Sequence, residues 1–384
     1  MSQVKALVLF SGGLDSMLAA KVLEEQGVDI QPLCFNSIFF SCTRAEKIAA
    51  NFGWKLKVID ISQGILKLVK NPPSGYGKNL NPCLDCHALM IKKAGEYLTP
   101  NPSPRQERGT NPLASRKVGE VYDLIATGEV LGQRPFSQNR EALAQVAKLA
   151  GVEILRPLSA KLLPLTQAEK SGLINRHRLL DIKGRSRQRQ LELVEKYKIK
   201  EYSSPAGGCL LTDQEFSQRL MKMLGWWPEC TINDVSLLKY GRIFWLSLTP
   251  SPSPAPGVAG EGGKVLLVVG RNEKENEQLE KIAQTGDIIL ELKDEMGPIT
   301  IVRIKNYELR ITNEMREIDV PKELKMSELK MGAEKNQEEI VNIAALLTGY
   351  YATKARGKRV KIKIKLIEKD IKKRNNNYLI NKFS

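Results

Sequence analysis

Three of the six cysteines in this chain stand where thiol chemistry is feasible. Cys83 and Cys86 have Cys-x-x-Cys spacing in NPCLDCH (81–87), beside His87, and Cys209 follows two glycines in PAGGCLLTD (205–213). A thiolate so placed can carry sulfur as a persulfide, and a second thiol can release that sulfur by forming a disulfide. The same side chains, Cys83, Cys86, His87 and Cys209, also supply the four ligands of a structural zinc, although an adjacent Cys-His pair rarely shares one tetrahedral site. Cys42 and Cys230 lack such a context and read as inert buried residues. The second chemical signature is SGGLDS (11–16). Gly12 and Gly13 permit a tight turn and close approach to an anion. Ser11, Ser16 and the first N–H groups of a following helix can donate to phosphate oxygens, with the helix dipole adding to the attraction. The segment contains neither the GK[ST] of a Walker loop nor a GxGxxG.

The elements around these residues must hold them in place. VKALVLF (4–10) reads as a buried parallel strand, and MLAAKVLEEQG as a helix stopped by Gly27. QPLCFNSIFF (31–40) and KLKVIDI (55–61) read as further strands, with TRAEKIAANFG the helix between them. DLIATGEV (123–130) and VEILRPL (152–158) add two more around REALAQVAKLAG. Strands alternating with helices predict an α/β fold with a parallel sheet.

Set in this strand–helix context, SGGLDS resembles the PP-loop of the ATP pyrophosphatase superfamily, whose members activate a carbonyl oxygen by adenylation and release pyrophosphate. The resemblance implies ATP and Mg²⁺ as cofactors. Ser11, Gly12, Gly13, Asp15 and Ser16 would hold the phosphates, with Asp15 as the Mg²⁺-associated carboxylate. It also implies an adenine pocket at Cys34, Phe35 and Asn36, and a later turn, ATGEVLGQR (126–134), in which Thr127, Gly128 and Gln133 face the nucleotide and Arg134 meets phosphate or RNA. A PP-loop followed by Asn-Pro-Cys-x-x-Cys and a distant Cys on a glycine turn is similar to the tRNA-thiouridylases, both 2-thiouridylase and 4-thiouridine synthetase, over roughly residues 3–215. That likeness implies Cys83 and Cys209 as the sulfur-handling pair and Cys86 as a third member. Three such cysteines serve a persulfide relay, or hold a [4Fe–4S] cluster with one open iron. The partners implied are tRNA and a sulfur donor. Two other readings stay open: a PP-loop enzyme that forms an amide and needs no cysteine, and an RNA-binding protein with a vestigial ATP fold.

Composition fits this picture. A length of 384 residues suggests two or three domains. The net charge of +16 favours a polyanionic partner. Residues 353–384 hold twelve Lys or Arg against two acids, so more than half of that excess lies in one stretch. No apolar run approaches a membrane span, and the N-terminal apolar stretch is shorter than a secretory signal. The expectation is a cytoplasmic protein with reduced thiols and no membrane partner.

For RNA docking, NRHRLLDIKGRSRQRQ (175–190) offers Arg185, Arg187 and Arg189 as a phosphate track. Farther on, GRN…N…GP resembles the RNA-binding module of NFACT-type ribosome-associated proteins, matched by Gly270, Arg271, Asn272, Asn276 and Gly297. KRVKIKIK (358–365) reads as an edge strand with one basic face that includes Lys361 and Lys363. The expected layout is a PP-loop domain over 1–160 with a Pro-rich insert at 98–117, and a helical or mixed segment over 161–247. A Pro/Gly-rich linker at 248–263, a basic α+β domain over 264–370 and a disordered tail at 371–384 follow. The insert and linker share Leu-Thr-Pro-x-Pro-Ser-Pro and read as one mobile sequence inserted twice.

Overall fold

The computed structural model describes residues 3–98, 121–202, 208–249, 263–305 and 313–368. The Pro-rich insert and linker, apart from their end residues, and the C-terminal tail lie outside these. The chain divides into two units, 1–217 and 218–384.

The first unit runs β1 (Lys5–Leu9), α1 (Leu14–Glu24), β2 (Asp29–Asn36), α2 (Thr43–Asn51), β3 (Lys57–Asp60), α3 (Ser62–Lys70), α4 (Cys83–Gly95), β4 (Leu124–Thr127), α5 (Arg140–Ala150), α6 (Gln167–Lys170) and α7 (Gln188–Lys196). Its sheet is parallel throughout, in the order β3-β2-β1-β4, with Lys5 beside Asp29 and Ala6 beside Leu124. Ala6, Leu7 and Val8 of β1 have no exposed surface, as expected of a central strand covered on both faces. The α/β class read from the sequence is therefore correct. VEILRPL is not a strand: it meets the sheet only through a single bridge from Leu155 to Ala126. Chain connections leave β1 and β4 toward opposite sides, so the gap between their carboxyl ends is the topological switch point where ligands bind in open α/β sheets.

Helix α8 (Gln214–Trp226) crosses the division between units. The second unit continues with α9 (Ile232–Leu237), β5 (Arg242–Leu248), β6 (Lys264–Val269), α10 (Glu273–Ile282), β7 (Ile288–Leu292), β8 (Thr300–Lys305), β9 (Glu314–Asp319), β10 (Glu334–Lys335), α11 (Gln337–Tyr351) and β11 (Arg359–Leu366). These strands form one sheet, β10-β5-β6-β8-β7-β11-β9, with α11 against its apolar face. Because β5 pairs with β6 along its length, the second unit begins ahead of the Pro-rich linker rather than after it. Nor is β11 an edge: it lies between β7 and β9. Alternating polarity shows only that one face is wet, which holds equally for an inner strand.

Candidate active site

The glycine loop sits at the switch point. Gly12 has φ +67°, and a Cβ there would stand 2.9 Å from the backbone of Ala45 in α2. Gly13 caps α1 in an extended conformation; its N–H donates to Ser11 Oγ at 3.3 Å, and Ser16 Oγ donates to Gly13 O at 2.8 Å. Across the gap, a Cβ on Gly128 would stand 2.5 Å from the backbone of Asp15 and Ser16. Glycine here lets the end of β4 press directly on the first turn of α1. The exposed Ser11 hydroxyl, the Gly13 amide and the Asp15 carboxylate suit a polyphosphate and its Mg²⁺.

Immediately after Gly128, Glu129 is buried and joins several elements. Arg156 Nε donates to its Oε2 at 2.9 Å, Thr127 Oγ1 donates to the same oxygen at 3.0 Å, and His87 Nδ1 lies 3.2 Å from Oε1. Burial pushes the Glu129 carboxyl up, but His87 and Arg156 together outweigh it and hold the group at about 2. An ionised carboxylate only accepts, so His87 Nδ1 is the donor in this pair. This network ties the start of α4, which bears the thiols, to the turn that packs on the glycine loop.

Cys83 opens α4 and is half-buried; Cys86 lies one turn on and is buried. Cys209 begins the short turn 210–212, where Asn79 Nδ2 donates to Thr212 O at 2.8 Å and so ties that turn to the loop ahead of α4. All three are free thiols within electrostatic range of one another. Burial pushes the Cys86 thiol well up, with the Cys209 and Cys83 sulfurs adding to it. Burial carries Cys209 to about 11 against the pull of the Leu211 backbone. Burial also raises Cys83, but the nearby Arg134 guanidinium opposes it. At neutral pH the resting site therefore holds thiols, and Cys83 is the one with a cation to favour its thiolate.

Other expected site residues fare differently. Phe35 is 5% exposed and offers no open face on which a base could stack. Its neighbour Cys34 forms a disulfide with Cys42, which corrects the reading of reduced thiols and of Cys42 as an isolated buried cysteine. The bridge links the end of β2 to the cap of α2, the helix that the glycine loop abuts. Thr127 is buried and its hydroxyl is committed to Glu129. The supposed track at 185–189 separates: Arg185 is exposed, Arg189 pairs with Asp181 at 3.3 Å and Glu192 at 3.8 Å, and Arg187 turns to Asp15.

In the second unit, Arg271 pairs with Glu275 at 2.6 Å. Lys361 pairs with Glu317 at 3.6 Å and Lys363 with Glu291 at 2.8 Å, so each of these two lysines of β11 is matched by an acid on a neighbouring strand. The GRN…N residues are structural there. Asn272 caps α10, Asn276 accepts from Ile299 N–H and donates to Gly297 O, and a Cβ on Gly270 would stand 2.1 Å from Asn276 Oδ1.

Glu129 lies in the turn beside the glycine loop and pairs with Arg156, and Gln190 Nε2 stands 3.5 Å from Asp15 Oδ1, yet no spacing in the sequence marks these residues. Phe136, 84% exposed on the loop after Arg134, also escaped the motif reading. Among the described residues, no group of three or more His, Cys, Asp or Glu side chains is placed to hold a metal ion.

No family model matches the chain. A tRNA-specific 2-thiouridylase, MnmA of Campylobacter curvus, is 26% identical over 168 residues, covering 41% of this chain and 47% of that protein. The chain is similar, at a distance, to a tRNA thiouridylase. It spans about half the length of that curated relative. Among solved structures, a predicted tRNA methyltransferase subunit from Methanocaldococcus jannaschii matches with TM-score 0.29 and 18% identity, over 44% of this chain and 73% of that one. An NMN synthetase from Francisella tularensis matches with TM-score 0.23 and 12% identity, over 54% and 90%. Both scores are too low to build on, and the α/β assignment stands on the parallel sheet itself. No helix among the described residues is long and apolar enough to cross a membrane.

Proposed function

We propose that the chain is a PP-loop enzyme that uses ATP to replace a carbonyl oxygen of a tRNA uridine, at C2 or C4, with sulfur. The supporting observation is the approach of Cys209 to Cys83 and Cys86, from distant segments and all as free thiols, at the start of a helix that His87 and Glu129 tie to the turn packed on the glycine loop. An amide-forming enzyme has no need of that meeting.

In this reading Ser11, Gly12, Gly13 and Ser16 hold the ATP phosphates, and Asp15 faces the Mg²⁺, which offsets phosphate charge. The uridine oxygen attacks the α-phosphate and pyrophosphate leaves. Cys83, charged as a persulfide by an external sulfur donor, attacks the activated carbon through its terminal sulfur, and AMP departs with the oxygen. Cys209 then attacks the inner sulfur of the mixed disulfide. Thiouridine is released, a Cys83–Cys209 disulfide forms, and an external dithiol reduces it. Arg134 favours the Cys83 thiolate, and the exposed Phe136 next to it offers a ring on which an unstacked base can rest.

The test is incubation of unmodified tRNA with the protein, ATP–Mg²⁺ and a persulfide donor, followed by nucleoside mass spectrometry, with Cys83→Ala and Cys209→Ala in parallel. Thiouridine that is formed by the wild type and lost in both variants is the expected result. ATP-to-AMP turnover that is indifferent to both substitutions, without thiouridine, sinks the proposal.

A further inference from the structure

The segment read from its sequence as an RNA track contributes two side chains to the glycine loop instead. Gly184 N–H donates to Leu131 O at 2.8 Å, so the segment runs beside the turn that Gly128 presses onto α1. From there Arg187 reaches to 4.0 Å from Asp15 Oδ2 and is only 27% exposed. In the first turn of α7, Gln190 is 0% exposed; its Nε2 stands 3.5 Å from Asp15 Oδ1, and its Oε1 has no partner among the described residues. A separation of 4.0 Å is too long for a hydrogen bond, so this guanidinium is near Asp15 but not consumed by it. A fully buried amide oxygen without a donor is a defect unless something arrives to meet it. Rotation of the amide brings that oxygen beside the Asp15 carboxylate, and two oxygens side by side suit a hard divalent cation or its water.

We propose that Arg187 and Gln190 complete the nucleotide site. Arg187 receives the β- and γ-phosphates that leave as pyrophosphate, and Gln190 joins Asp15 at the Mg²⁺ those phosphates carry. The inference rests on reading the glycine loop as the ATP site. It makes the site selective for a triphosphate over a monophosphate, since AMP brings neither the terminal phosphates nor their metal. A planar guanidinium suits two phosphate oxygens at once.

The test is calorimetric titration of the full chain with ATP–Mg²⁺, AMP and inorganic pyrophosphate. The wild type binds ATP–Mg²⁺ more tightly than AMP. Arg187→Ala weakens ATP and pyrophosphate on the order of tenfold or more and leaves AMP unchanged; Arg187→Lys, which keeps the charge, falls between. Arg189→Ala, whose partners are Asp181 and Glu192, changes nothing. Gln190→Leu lowers affinity for ATP–Mg²⁺ but not for ATP in chelator, and the ligand-free variant melts no lower than wild type because the unpartnered oxygen is gone. Equal losses for ATP and AMP in Arg187→Ala, or no loss in either, overturn the inference while leaving the ATP site standing. A wild type that binds neither ATP nor pyrophosphate overturns both.

Discussion

The two units use the same residue types to opposite ends. In the first, glycines bring backbone segments together around an open switch point, and the polar side chains there retain unused capacity: a loosely held Arg187, an unpartnered Gln190 oxygen, thiols with no bond between them. In the second, the motif residues and three basic residues of β11's exposed face, Arg359, Lys361 and Lys363, are matched within the fold. Asn276 and Gly270 clasp the start of α10 to β8, and Arg303, nearly fully buried, bridges Asp234 at 3.1 Å and Asp287 at 2.6 Å, with Lys305 also on Asp234. A basic composition therefore says little about where an anion binds. What matters is whether the protein's own carboxylates already occupy each cation.

The contrast is most sharply drawn by two buried charges. Glu129→Ala and Arg303→Ala each strand buried partners and should cost about 3–5 kcal/mol, read by chemical denaturation. Only the Glu129 variant should also impair thiouridine formation at temperatures where both remain folded. Equal catalytic loss would show that the second unit is part of the chemistry. Acid gives the next effect. The Glu129 carboxyl is held at about 2, below its ordinary 4.5. A depressed carboxylate stabilises the fold above its unfolded value, and that stability is lost as pH falls through the folded one. The gap corresponds to about 3 kcal/mol, lost between roughly pH 4.5 and 2. Glu129→Gln should flatten that limb of the stability profile.

Smaller effects separate the glycines. Gly128→Ala and Gly270→Ala each force a Cβ into occupied space and should cost about 1–3 kcal/mol. Gly128→Ala should also weaken ATP binding, because it moves the Asp15 turn, whereas Gly270→Ala should leave titrations with ATP unchanged. Smallest of all, Lys361→Ala and Lys363→Ala should shift stability by less than about 0.5 kcal/mol and leave tRNA affinity in filter binding nearly untouched. A large fall in affinity would return β11 to the RNA surface.

Much of the first unit was legible because its signals are local. A strand, a glycine turn and a helix follow one another along the chain, and Cys83 and Cys86 share one helix start. What escaped depends on distant partners. Nothing in the spacing of His87, Glu129 and Arg156 announces a buried hub, and a separation of eight positions between Cys34 and Cys42 says nothing of a bond between them. Arg187 shares a basic stretch with Arg185 and Arg189, but as the residue that caps α7 it turns to Asp15, while Arg189 within the helix pairs with Asp181. The alternation in β11 marks a two-faced strand, but its place between β7 and β9 depends on which segments pair beside it.

The sulfur state of this chain gives its turnover a countable signature. Cys34 and Cys42 are already joined, so the protein unfolded without reductant should titrate as four sulfhydryls: Cys83, Cys86, Cys209 and Cys230. One round of sulfur transfer through Cys83 and Cys209, with no reductant to follow, should leave two. The number of thiols lost should then equal twice the thiouridine formed, a stoichiometry that can be followed with a colorimetric reagent and no knowledge of which uridine was changed.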